Sequence, residues 1–169
     1  MSSEIKLADP DFDKSAFIKN LESVNYLMLA IPLGLFGWVF LEKERNGGLR
    51  NDIWNEPDLM FHVAMLVGVG YVLNRTLISW KGSLLKGLDG TPELDLKLKK
   101  SRKSIVWRNV LWIMGAAIST YGLYEKGDMF YTLFFTVFLV LITANRPSGR
   151  YFSKLFKLKG DEKKWMEAQ

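Results

Sequence analysis

His62 is the only histidine in this chain of 169 residues, and Asp58 lies four residues before it. On a helix, that spacing puts the two side chains on one face. An imidazole beside a carboxylate can hold a proton, or it can begin a metal site with Glu42 or Glu125 from other connections. Metal sites ordinarily take three or four ligands, and sequence spacing supplies only Asp58 and His62. The expectation is therefore a structural polar pair at a helix end. The chain has no cysteine, which removes thiolate ligands, a cysteine nucleophile and disulfides. No serine or threonine stands in a nucleophile motif, and no glycine-rich phosphate loop is present. The chain reads as non-enzymatic, with no catalytic residue, metal or cofactor expected.

A second group of residues is cationic. Asn74-Arg75 and Asn145-Arg146 repeat one dipeptide, and Arg108 falls near a third apolar boundary. A guanidinium presents planar donors that bind two phosphate oxygens at once. Arg75, Arg108 and Arg146 are expected at a membrane interface, touching lipid phosphates or an acidic partner surface. The plainer alternative is snorkelling to water.

The elements that must position these residues follow from charge clustering. The averages suggest a soluble protein, with 49% hydrophobic and 24% charged residues and a mean hydropathy of +0.03. Yet Ser23–Leu41 runs 19 residues without an acidic or basic side chain, and Leu59–Asn74, Asn109–Tyr124 and Met129–Asn145 run 16, 16 and 17. About 20 apolar residues cross a bilayer, and a terminal arginine can extend a shorter run by snorkelling. Met129–Asn145 has no polar face, which argues against a soluble four-helix bundle. The fold class expected is all-α and polytopic: four transmembrane helices in two hairpins, with short interfacial helices. The spans fall at about 24–41, 59–80, 105–124 and 129–145. They lie in one membrane domain, with 1–23 interfacial and 146–169 a basic tail.

Lysine and arginine set the orientation. The first 23 residues carry three, the 81–104 connection seven and the segment after Asn145 seven, whereas the other two connections hold four together. The positive-inside rule places both termini and the central connection in the cytoplasm, in a bacterial inner membrane or an organellar one. The net charge of +5 then belongs to a face that attracts anionic lipid headgroups rather than nucleic acid. No cleavable signal is expected, since the first residues lack a basic n-region.

Finer features complete the reading. Asp9-Pro10-Asp11 has the chemistry of a helix start, with an interfacial helix to follow. Thr91-Pro92-Glu93 repeats it before a charged helix over Leu94–Ser104, for which the alternation of Leu94, Leu96 and Leu98 leaves a short strand as the alternative. Pro32 should kink the first span. Ala30 with Gly34, Ala64 with Gly68, and Gly115 with Ser119 are small pairs four apart, suited to close helix packing within the chain or between chains. Trp38, Tyr121 and Tyr124, with Trp80 and Trp107, are placed as interfacial belts. The repeated Asn-Arg pairs, with Glu-Lys at Glu42 and Glu125, also suggest a duplicated hairpin, although any helical hairpin has polar ends.

Gly122-Leu-Tyr-Glu-Lys-Gly-Asp-Met-Phe-Tyr131, followed by an apolar run ending in Asn145-Arg146, resembles the YiaA/YiaB-type two-helix inner-membrane proteins. The resemblance covers mainly residues 120–146. It implies four spans in two hairpins and no known catalytic chemistry. The functional expectation is a membrane subunit or scaffold, packing in a larger complex or with its own copies. A small channel or transporter built from the duplicated hairpin is the alternative.

Overall fold

In the computed structural model, which describes residues 12–49, 59–91 and 93–168, helix α1 (Lys14–Arg45) starts where the Asp13 carboxylate accepts from the Ala16 amide at 2.9 Å. That is an ordinary N-cap. The start expected at Asp9-Pro10-Asp11 lies outside the described residues. The interfacial helix expected there is, among the described residues, simply the first turns of α1. Pro32 is buried inside this uninterrupted 32-residue helix.

The second helical run, Leu59–Leu88, is 30 residues long and continues eight residues past the expected end at Trp80. It comprises α2 (Leu59–Leu73), a π-helical turn (Asn74–Ser79) and α3 (Trp80–Leu88). Helix α4 (Leu94–Lys126) follows without a side-chain cap bond at Glu93. Leu94 and Leu98 are fully buried on one side of it, so their spacing serves a helix and not a strand. Helix α4 stops at Gly127, whose φ of +69° is left-handed. A side chain there would also strike the Gly48 carbonyl, 1.9 Å from the Cβ position. Only glycine permits both the turn and the approach. Helices α5 (Phe130–Ala144), α6 (Gly149–Leu155) and α7 (Gly160–Glu167) complete the chain, with a 93° bend between α5 and α6.

Helix α4 is the axis of the molecule, and α1, α2 and α5 each pack on it. The first two therefore meet α4 rather than forming a hairpin of their own, which separates this arrangement from the two equivalent hairpins expected. The tightest seam is α4 with α5. Gly115 and Gly122 of α4 lie under the rings of Phe138 and Tyr131, so close that a Cβ would fall 2.2 and 2.4 Å from ring carbons. Phe36 of α1 stacks on Phe135 of α5 at 3.8 Å. Around these rings lies one apolar core, with Val69, Val72, Trp112 and Ile142.

A second core lies below it. Leu21 of α1, Leu84 and Leu88 of α3, Leu98 of α4, Phe152 of α6 and Met166 of α7 pack together. The segment expected as a basic tail is thus a folded basal lobe. Tyr151, Phe152 and Leu155 sit at helical spacing beneath its lysines and arginines.

Two helical runs, Lys14–Arg45 and Leu59–Leu88, are long and apolar enough to cross a membrane. A third is reached only if α5 and α6 count as one bent span. Helix α5 has 15 residues, about 22 Å at 1.5 Å each, which is short of a ~30 Å hydrocarbon layer. Helix α4 has the length, but Arg108, Asn109 and Ser119 reduce its apolar character.

Glycine seats give a direct test of this packing. Gly115→Ala forces the Phe138 ring to move and is expected to cost about 1–3 kcal/mol. At Gly34 nothing lies within 4 Å of a Cβ, so Gly34→Ala should stabilise by up to ~1 kcal/mol through helix propensity. Thermal unfolding of the two variants in one detergent checks the contrast.

Candidate functional site

Between the two cores runs a polar layer built on α4. Arg108 is only 2% exposed. Its guanidinium lies 4.3 Å from the ring centres of both Trp80 and Trp112 and 5.3 Å from that of Tyr151. A cation over aromatic faces is attracted by their quadrupoles, more strongly when desolvated. Arg108 also donates to the Tyr151 hydroxyl at 2.6 Å, and at 3.3 Å to both the Asn145 carbonyl and the Asn109 side chain. Beside it, the Asn109 amide donates to Asn25 of α1 at 2.7 Å. The Trp112 indole donates to Thr76 of the π-helical turn at 2.9 Å, and Thr76 in turn donates to the Val72 carbonyl. Each helix that packs on α4 thus contributes a polar partner to this layer. The Arg108 Nε atom is buried without a hydrogen-bond partner.

Arg108 forms one wall of a pocket of about 470 Å³, open at the end of α5. Lys81, Arg146, Arg150, Tyr151 and Lys154 line it as well, and among the described residues no acidic side chain does. Arg146 is held at the rim by Glu22 at 3.3 Å and by the Tyr26 hydroxyl at 2.5 Å. Tyr151 stands on α6, in the basal lobe. Burial pushes its phenol up from the ordinary tyrosine range, against the opposing pull of the Arg108 guanidinium. The phenol therefore stays protonated at neutral pH, and its oxygen accepts from Arg108 while its hydrogen remains able to donate.

The three arginines singled out by sequence thus part company. Arg108 and Arg146 share the pocket, and Arg75 is exposed on the π-helical turn and does not line it. Lys81, Arg150, Tyr151 and Lys154 were not anticipated. The available signal was the spacing of Arg150 with Lys154, and of Tyr151 with Leu155, four apart on one short helix.

His62 sits at the opposite end of the bundle and is buried. Its Nδ1 is 2.7 Å from the Tyr131 hydroxyl, and its Nε2 is 3.3 Å from Asp128. The partner seen is thus a carboxylate from the α4–α5 turn, and Asp58 lies outside the described residues. Among the described residues no three of His, Cys, Asp and Glu converge on a point where a metal would sit. Of the small residues, Gly115 is in the α4–α5 seam, a Cβ on Gly68 would lie 3.7 Å from the Ile118 side chain, and Gly34 is exposed with nothing within 4 Å of its Cβ position.

Compared with known proteins, the chain matches no family model, no curated protein and no solved structure.

The Asn25–Asn109 bond offers a clean test of the polar layer. Both side chains are buried, so Asn25→Leu leaves the Asn109 amide unsatisfied, at a cost of about 1–3 kcal/mol. The Asn25→Leu/Asn109→Leu pair should recover part of that loss. A double-mutant cycle on unfolding temperatures would then show the double variant losing less than the sum of the two single changes.

Proposed function

We propose that the chain is a non-enzymatic integral membrane subunit, which packs within a larger membrane complex or with its own copies. In this reading α4 and α5 complete four spans, at about 24–41, 59–80, 105–124 and 129–145. Both termini, the central connection and the basal lobe face the cytoplasm of a bacterial inner membrane.

The observation that carries the reading is the outward face of α1. Leu27, Ile31, Trp38 and Leu41 are exposed there, around Gly34 and Gly37, which have nothing within 4 Å of their Cβ positions. Small residues among large apolar ones let a second helix backbone approach closely, which is how membrane helices associate without a hydrophobic driving force. The intramolecular packing positions are already filled by Gly115 and Gly122, so Gly34 and Gly37 are free to serve a contact with another chain. The α4–α5 hairpin, which carries the resemblance to YiaA/YiaB-type proteins, supports a membrane setting.

Particle mass after mild detergent extraction is the test. A particle heavier than the 19.4 kDa chain is expected, and Gly34→Leu should shift it toward the monomer with its helical content retained. A monodisperse monomer that passes solute across liposomes would overturn the subunit reading in favour of a channel. For orientation, a cysteine at Gly47 should react with an impermeant label from outside, and one at Gly87 only after the membrane is opened. The reverse pattern would invert the topology.

A further inference from the structure

We propose that the basal pocket is a binding site for a phosphate oxyanion, carried by an anionic phospholipid headgroup or present as free phosphate. The inference deepens the membrane reading and rests on it only where the phosphate belongs to a lipid.

Charge is the first argument. Lys81, Arg108, Arg146, Arg150 and Lys154 share one pocket of about 470 Å³ with no carboxylate among the described residues of its lining. Glu22 compensates Arg146 alone. Like charges held this close repel one another, and an anion among them relieves that repulsion. The second argument is geometry. Arg108 is 98% buried by its 2% exposure, and its fork is fixed by Tyr151, Asn145 and two tryptophan faces. A pre-set guanidinium loses little freedom on binding, unlike a surface lysine. The Tyr151 hydroxyl adds a neutral donor at the same wall.

The third argument favours a lipid as the carrier. Leu133, Val137, Val140 and Ala144 follow one another at intervals of four, three and four along α5, and all are exposed. They form an apolar track that ends at Ala144, itself part of the pocket lining. An acyl chain lying along this track would bring its phosphate to the cations. Basic pockets between helix ends on the cytoplasmic side are a recognised form of headgroup site.

The test uses the full chain in mild detergent, with two charge-matched double variants. Arg150→Gln/Lys154→Gln removes two exposed pocket cations, and Lys163→Gln/Lys164→Gln removes two exposed cations of α7 outside it. Native mass measurement follows retention of phosphatidylglycerol against phosphatidylcholine, and unfolding temperature follows binding of inorganic phosphate. The expected result is selective retention of phosphatidylglycerol, weakened about tenfold, or ~1.4 kcal/mol, in the pocket variant and unchanged in the α7 variant. Stabilisation by inorganic phosphate, lost only in the pocket variant and without lipid retention, would keep the site and assign it to a free phosphate. That outcome would count against the lipid arm and leave the oligomer test to decide the subunit reading. Equal loss in both double variants would reduce the effect to net charge and overturn the proposal. Failure of the wild-type protein to bind either probe would overturn it as well.

Discussion

Burying a guanidinium beneath two tryptophans is costly, because the charge gives up its water. The surrounding structure is arranged to offset that loss at Arg108. Trp80 comes from α3, Trp112 from α4, Tyr151 from α6, and the Asn145 carbonyl from the end of α5. Trp80, the Arg108–Trp112 turn and the Asn145–Tyr151 segment are far apart in sequence and meet at this cation. Satisfying this one cation therefore fixes where α3 leaves the bundle, where α5 stops and how α6 turns back beneath it. Removing any single partner would leave a charge partly uncompensated in an enclosed place. That penalty is larger than the loss of one hydrogen bond.

The same layer divides the molecule into two kinds of interior. Above it, aromatic rings fill the gaps between long apolar helices, and glycines on α4 admit Phe138 and Tyr131. Below it, leucines of amphipathic segments meet the short helices α6 and α7. Lys14 reaches across that lobe to the Trp165 carbonyl at 2.6 Å, which ties the start of the described chain to its end. Arg146 makes a similar tie through Glu22 and Tyr26. The basal lobe is thus anchored to α1 at two points as well as through its apolar core.

Much of the upper half was legible in the sequence, because a charge-free run of 16 to 19 residues leaves few options other than an apolar helix. The lower half was obscured by its own charges. Seven lysines and arginines after Asn145 concealed the apolar spacing of Tyr151, Phe152, Leu155 and Met166. His62 shows a different limit. Spacing along one helix can suggest only a neighbour such as Asp58, which lies outside the described residues, and cannot reveal Asp128, 66 residues away and brought beside His62 by the α4–α5 turn. Arg75 and Arg146 show a third limit, since identical dipeptides end in different surroundings. The π-helical turn directs Thr76 inward to Trp112 and leaves Arg75 outside. At Arg146 the chain instead bends into the basal lobe.

Hydropathy alone undervalues α4 because it is calculated without regard to neighbours. The apolar windows of Lys14–Arg45 and Leu59–Leu88 are only 17% and 22% buried, so those helices must carry apolar side chains outward. Helix α4 is enclosed by α1, α2 and α5 and can hold Arg108, Asn109 and Ser119 against protein rather than lipid. The charges that bound its charge-free run, Arg108 and Glu125, are 17 residues apart, or about 26 Å along a helix. On α1, Asn25 and Glu42 are 17 residues apart, about 26 Å by the same rise. Both separations approach the ~30 Å of a hydrocarbon layer. In the proposed four-span reading, this spacing lets α4 cross beside α1 even though its composition is mixed. The arginine layer would then lie at the depth where lipid phosphates begin.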